Sequence, residues 1–271
     1  MLGRAIILFS PDTDRTDRQT VDSLYDIIDN PKRVWQREDA LSDFLRLLGR
    51  LNISDEMSVS SVIDQFTIAD GLCTAMTVLQ LREEAFKLSS MWHEAIRRLA
   101  GRTPSVYKKH LARSLLGLSF QQSHVGKKEE ALSTMKEVVE IYRTLTPTER
   151  QHALKADFAC SLNSLSCRFG DVDRWDEALL AVEEALEIRR ELAKGDPDAS
   201  YPGLAESLYN RALYKEKIER SAGPEIMASI REAVELYQQL ALRYPFAYDE
   251  DLQNSLLFLE DCLHGRGLGG T

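Results

Sequence analysis

The sequence contains no long uncharged apolar run, so nothing in it reads as a membrane-spanning helix. Cysteine is scarce, and the four present (Cys73, Cys160, Cys167 and Cys262) have no metal-cluster spacing. A chain of 271 residues can bury enough surface to dispense with disulfides, so a reducing compartment is the simpler reading. Cys160 and Cys167, seven apart on an expected helix, read as small buried hydrophobes. The five histidines (His93, His110, His124, His152 and His264) include no i, i+4 pair, and HExxH is missing. No metal and no cofactor is therefore expected, and His93 beside Glu94 reads as a surface pair. GxSxG is also missing, which removes the common hydrolase elbow. The one glycine-rich stretch, Gly265 to Gly270, has no following helix to aim backbone N–H groups at a phosphate. The expectation is a protein that is not an enzyme.

Positive charge is in deficit as well. There are 43 acidic and 34 basic residues, for a formal charge of -9, which argues against nucleic acid or an anionic membrane as partner. Met1 to Ser10 resembles a leader peptide superficially, but its apolar core, Ala5 to Phe9, is too short. Asp12, Asp14, Asp17 and Asp22 alternate with Arg15 and Arg18, the pattern of a solvated segment rather than a calcium loop. A cytoplasmic, intracellular protein is expected.

What is present is repetition. Leu111-Ala-Arg-Ser-Leu-Leu-Gly-Leu-Ser119 aligns with Phe158-Ala-Cys-Ser-Leu-Asn-Ser-Leu-Ser166 and with Leu204-Ala-Glu-Ser-Leu-Tyr-Asn-Arg-Ala212. A partial copy begins at Leu252, and the starts are spaced by 47, 46 and 48 residues. Glu130-Ala-Leu132, Glu177-Ala-Leu179 and Glu225-Ile-Met227 each lead into a second recurring stretch, which ends at Tyr142, Arg189 and Tyr237. Apolar positions recur at three and four residues, so each unit reads as helix A, a turn, helix B and a linker.

Small residues mark close helix approach: Ala112, Ala159 and Ala205; Ser114, Ser161, Ser207 and Ser255; Ala131 and Ala178, with Ile226 in the third unit. Gly126, Gly170-Asp-Val-Asp173 and Ser221-Ala-Gly-Pro224 punctuate the A–B turns. Thr146-Pro-Thr148, Gly195-Asp-Pro-Asp198 and Tyr201-Pro-Gly203 separate the units. One helix pair cannot bury its own apolar stripe, whereas stacked pairs share a continuous core.

Ser161-Leu-Asn-Ser-Leu-Ser166, Arg174-Trp-Asp-Glu-Ala-Leu179 and Glu184-Ala-Leu-Glu-Ile-Arg-Arg-Glu-Leu192 carry a family resemblance, repeated at Lys128–Leu132 and Val139–Arg143. The pattern resembles tetratricopeptide repeats of the long variety found in kinesin light chain and in fungal and bacterial repeat proteins. It covers about residues 108–262. The family's ordinary period is about 34 residues, so spacings of 46 to 48 imply extended helices or linkers. The resemblance implies an all-α, right-handed α-solenoid of antiparallel helix pairs, a tetratricopeptide-like superhelix with a helical N-terminal cap region. Repeats are expected at about 108–147, 151–195 and 202–243, with a partial copy at 249–263 and a flexible tail at 265–271.

Residues 1–105 are expected to be helical but not cleanly repetitive. Val21–Ile28 and Arg37–Leu48 have helical apolar faces, and Ser58–Phe66 begins a short helix. Thr74–Ala100 reads as one long helix, or as two with a break near Ser89-Ser90. Trp92-His-Glu-Ala-Ile96 is like Trp175-Asp-Glu-Ala-Leu179, which leaves a degenerate further repeat open beside a plain cap.

In proteins of the resembled type, helix A lines the concave surface, and an asparagine at the position of Asn163 grips an extended peptide. An amide offers both donor and acceptor to a peptide bond. The ladder is broken here, because Leu116, Tyr209 and Leu257 stand at the matching places and Asn210 is one residue out of register. Lys109, Arg113, Arg168, Arg211 and Lys215 also fall in helix A and would form a basic patch if they converged. The expected site is therefore Lys109, Arg113, Asn163, Arg168, Tyr209, Asn210, Arg211 and Lys215. The expected function is a non-enzymatic scaffold or adaptor holding a protein or peptide partner of acidic character, with self-association as a further property. The alternatives are a structural spacer in a larger repeat protein, or a regulatory or enzymatic N-terminal region fused to repeats. Trp175, Tyr142, Tyr237 and Phe158 read as packing residues.

Overall fold

A computed structural model describes residues 59–78, 80–145, 152–221 and 223–264. Among these residues there are nine helices and no strand. They are α1 (Val59–Val78), α2 (Arg82–Arg102), α3 (Pro104–His124), α4 (Lys128–Leu145) and α5 (His152–Asp171), then α6 (Trp175–Gly195), α7 (Pro197–Glu219), α8 (Pro224–Arg243) and α9 (Pro245–Leu263). Expectations for Val21–Ile28, Arg37–Leu48, the Asp12–Asp22 cluster and the tail 265–271 lie outside the described residues. The described residues divide into two compact units, one up to residue 138 and one from residue 139 onward. In the first, α1 packs on α2 and α2 on α3; in the second, α5 through α8 each pack on the next helix.

Local chemistry sets the helix ends. Proline occupies the first turn of α3, α7, α8 and α9, where a missing N–H leaves no bond unmade. First turns carry acids (Glu83 and Glu84; Glu129 and Glu130; Asp176 and Glu177; Glu225). Last turns carry bases (Arg102, Arg143, Lys194 and Arg243), each charge opposing the helix dipole.

The A–B turns repeat in a form that glycine alone does not reveal. Gln80, Gly126, Asp173 and Arg220 all have positive φ, at 64°, 80°, 59° and 53°. At the first three, the next residue's N–H reaches back five residues: Leu81 to Met76 O, Lys127 to Gln122 O and Arg174 to Phe169 O, at 2.8, 2.8 and 3.0 Å. The expected long helix Thr74–Ala100 is therefore two helices that part around Gln80 rather than at Ser89-Ser90. Ser90 Oγ donates to Phe86 O inside a continuous α2. Likewise Gly170 lies inside α5, and Pro202 and Gly203 lie inside α7. Helix α7 starts earlier than its glycine and proline suggest, because Asp196 caps it by accepting from the Ala199 N–H at 3.2 Å.

The small-residue positions are close-contact points. Ala112, Ala131, Ala159, Ala178 and Ala205 are all 0% exposed, as is Ala85, which holds the same register in α2. Cys73 Sγ donates to Ala85 O at 3.6 Å, and Ser119 Oγ donates to Ala131 O at 2.8 Å, so the same A-to-B bond joins α1 to α2 and α3 to α4. Ser161 and Ser255 satisfy their buried hydroxyls on the carbonyl four residues back in their own helix. On the B helices an ion pair recurs in one register: Arg97–Glu137, Arg143–Glu184 and Arg190–Glu232, at 2.8, 2.8 and 2.7 Å. These pairs are solvent-exposed, worth about 0–1 kcal/mol each, and fix register more than stability.

The first unit's core is built on Phe66, Leu72, Trp92, Ile96 and Tyr107. The second unit's includes Leu204, Leu208, Ile226, Ile230, Tyr237 and Phe258. Fully burying a side chain such as Leu208 contributes about 1.5–3 kcal/mol. Tyr142, Phe158 and Tyr237 are buried, and Trp175 packs its ring 6.2 Å from that of Tyr214. His93, expected at the surface, is buried instead. Arg97 Nε donates to its Nε2 at 3.0 Å, which places the ring proton on Nδ1, facing Ser114 Oγ at 3.3 Å.

Candidate functional site

Helices α5 and α7 lie side by side in parallel, and a row of polar side chains runs along their seam. Asn163 is 3% exposed, and its Oδ1 accepts from Ser207 Oγ at 2.8 Å and from Asn210 Nδ2 at 3.3 Å. One turn on, Cys167 Sγ accepts from Asn210 Nδ2 and from Tyr214 OH, both at 3.7 Å. Burial pushes the Tyr214 phenol far above its ordinary range, so it stays a neutral donor.

Behind this row stands Arg189 of α6, 7% exposed. Its Nη1 donates to Gly203 O and to Ser207 Oγ, and its Nη2 faces Glu206 Oε2 at 3.5 Å. Ser207 therefore receives a bond from Arg189 and passes its own proton to Asn163. This is why it departs from the self-satisfied serines at the equivalent places in α5 and α9. Arg189 occupies the register of the buried Tyr142 and Tyr237.

Cys160, also on α5, is solvent-exposed rather than buried as expected from sequence. Neighbouring atoms nonetheless crowd its thiol, and desolvation pushes it above the usual range, with Arg189 opposing.

The expected site residues separate into groups. Asn163 and Asn210 come together, and Tyr209 sets its ring edge-on to Phe258 at 5.6 Å. Arg211 and Lys215 turn away from this row toward the B helices. Arg211 reaches Glu183 of α6 and Glu225 of α8, both at 3.4 Å, and Ser229 Oγ; Lys215 binds the same Glu225. The alignment carries the reason, since Arg211 stands where Leu118 and Leu165 face helix B. Arg168 places Nη1 3.0 Å from Asp171 Oδ2 on its own helix, in poor hydrogen-bonding geometry. The three cations of the second unit thus engage carboxylates instead of converging on the amide row. Lys109 and Arg113 belong to the other compact unit, where Arg113 lies over the Phe66 ring at 5.9 Å. Arg189, Ser207 and Cys160 escaped sequence reasoning. The break in the Tyr142–Arg189–Tyr237 register was the available signal for the first of them.

Among the described residues no three His, Cys, Asp or Glu side chains group as a metal site, and no helix is long and apolar enough to cross a membrane.

Known proteins agree on the fold. The sequence model of anaphase-promoting complex subunit 5 matches residues 102–150 and 143–196. A point variant of a Podosopora anserina protein, described as a kinesin light chain with nearly identical TPR-like repeats, superposes in its crystal structure with TM-score 0.58 at 12% identity. That match covers 82% of this chain and 95% of the other. BtubC (BKLC) from P. vanneervenii superposes with TM-score 0.50 at 14% identity, covering 93% and 92%. Among curated protein sequences none matches this one. The chain has a tetratricopeptide-like helical repeat fold, an architecture typically used for protein–protein interaction.

Proposed function

We propose that this chain is a non-enzymatic protein-interaction scaffold whose α5–α7 face holds an extended peptide or helical segment of a partner protein. The observation that carries this reading is the polar seam. Asn210 is half-buried between Asn163 and Cys167, Arg189 locks Asn163 through Ser207, and the accessible, desolvated Cys160 stands on the same helix as Asn163. A pre-ordered amide row suits main-chain hydrogen bonding and loses little entropy on binding. The partner favoured is one read through its backbone rather than an acidic one, because Arg211 and Lys215 spend their charge on Glu183 and Glu225. In this reading the pair α1–α2 is a further copy of the repeat, as the Gln80 turn and the Cys73–Ala85 bond support. Four unpaired cysteines suit a reducing cytoplasm.

The test labels Cys160 with a photo-crosslinker at mildly alkaline pH and identifies what it captures from native extract. Capture should fall sharply in Asn210→Ala, with helicity retained by circular dichroism. A label on Arg190→Cys, in a Cys160→Ser background, should capture none of the same species. Equal capture from both positions would sink the proposal.

A further inference from the structure

Asn163 has a counterpart in the first unit. Cys73 Sγ and Ser119 Oγ make the same bond to helix B, which puts Cys73 in register with Ser119 and, through the repeat, with Ser166. Three residues earlier on these helices stand Asp70, Leu116 and Asn163. Helix α1 touches α3 directly, and Thr77 Oγ1 meets Gln121 Oε1 across that contact at 2.9 Å. Asp70 is thus a carboxylate at the place where the second unit has its locked amide.

The donors that satisfy Asn163 have no equivalent at Asp70. Asn163 takes its bonds from Ser207 and Asn210, 44 and 47 residues further on. The same offsets from Asp70 lead to Ser114 and Gly117. Ser114 Oγ gives its proton to Leu111 O at 2.9 Å and faces His93 Nδ1 at 3.3 Å. Thr74 turns its hydroxyl to the main-chain carbonyl of Asp70, not to the carboxylate. Gly117 has no side chain to offer. Beyond its own helix turn, a Cβ added there would meet a single described atom within 4 Å, Asp70 Oδ1 at 3.2 Å. Among the described residues, no side chain donates a hydrogen bond to this carboxylate.

Asp70 and Gly117 are both half-buried, so solvent reaches each of them. Desolvation still raises the Asp70 carboxyl above its ordinary value, and Arg113 offsets only part of this. A desolvated carboxylate short of donors gains from a cation that brings N–H groups. Arg113 does not take that place, since it is exposed and its guanidinium lies over the Phe66 ring at 5.9 Å. A guanidinium is a flat fork matched to two parallel acceptors, whereas an ammonium is a compact point charge that can sit against one oxygen. One oxygen, Oδ1, borders the gap at Gly117, so an ammonium is the better fit.

We infer that Asp70, beside the gap at Gly117, is a binding site for a primary ammonium group, carried by a lysine side chain of a partner protein or by a free small amine. The site lies in the first unit and does not depend on the α5–α7 seam.

The test follows the Asp70 carboxyl carbon and the α3 backbone amides of the full chain by NMR near neutral pH. Acetyl-lysine methylamide, n-butylamine, acetyl-arginine methylamide and acetyl-norleucine methylamide are titrated in separately. The lysine amide should shift the Asp70 signal saturably and lower the pH at which Asp70 titrates, because an ammonium favours the carboxylate. Asp70→Asn should weaken binding at least about tenfold, and so should Gly117→Asn, which supplies the absent donor. Arg113→Gln removes a competing cation and should strengthen binding by up to about fivefold. Tighter binding of the lysine amide than of butylamine makes a protein side chain the ligand; equal binding makes it a free amine, and either supports the site. A norleucine or arginine amide that binds as tightly as the lysine amide overturns the inference, as does a chain that responds to no amine. Undiminished binding by Asp70→Asn overturns it as well. So does an Asp70 that titrates below the ordinary carboxylate range in the free chain, which makes a cation of this chain its partner.

Discussion

Arg189 lies so close to Gly203 that a methyl group added at Gly203 would sit 2.9 Å from its Nε and 3.0 Å from its Cζ. The glycine in α7 is therefore the gap that admits a buried guanidinium from α6, whose Nη1 then takes the Gly203 carbonyl and the Ser207 hydroxyl. The candidate site depends on this contact, because Ser207 in turn orders Asn163.

Within a helix Gly→Ala ordinarily stabilises by about 0.5–1 kcal/mol. Here Gly203→Ala is expected to destabilise instead, by about 1–3 kcal/mol, because the guanidinium has to move. In an Arg189→Met background the same substitution should revert to stabilising. Urea midpoints of the four proteins measure both signs, and a cost independent of Arg189 would remove the contact as its cause.

The A–B turns yield a second expectation. Gln80 and Asp173 hold the left-handed conformation, which strains a side-chain-bearing residue by about 1–2 kcal/mol. Gln80→Gly and Asp173→Gly should each raise stability by up to about 1 kcal/mol after the added chain entropy of glycine, and Gly126→Ala should lower it by a similar amount. Thermal melts of the three variants give the comparison.

Asp70 supplies the pH dependence. Burial raises its carboxyl above the ordinary value, only partly offset by Arg113, and its Oδ1 fills the space beside Gly117. With the folded pKa raised, the folded state holds the proton longer than the unfolded chain. Stability is therefore lost as pH rises from the unfolded value near 3.8 through the folded one. Asp70→Asn should accordingly raise the melting temperature at pH 7 and give a smaller gain at pH 4. A melting temperature unchanged at both pH values would contradict the assignment.

Cys160 should be the first thiol alkylated, since Cys73 and Cys262 are buried and Cys167 is engaged by Asn210 and Tyr214. Its thiolate is disfavoured by desolvation, so iodoacetamide should react more slowly than with a free model thiol, at a rate still climbing above pH 9. Peptide mapping after timed quenching reads site and rate together. Faster labelling of Cys73 or Cys262 would contradict the burial pattern.

The helix pairs, their order and their small-residue contacts were legible from sequence, and the reason is physical. Period and residue size are local properties, and Ala112, Ala159 and Ala205 each meet a neighbouring helix at the same turn. The turn at Gln80 was hidden because glutamine carries no signature of positive φ, and the early start of α7 because Pro202 and Gly203 look like punctuation. Tertiary structure alone decided the chemistry of the α5–α7 face. Asn163, Arg189 and Ser207 meet across 18 to 44 residues of chain, and Arg211 leaves the face because its register aims it at Glu183 and Glu225. A helical repeat states which side of each helix is apolar. The rotation and spacing of neighbouring helices determine which polar groups are desolvated and paired, and those quantities exist only once the helices are packed.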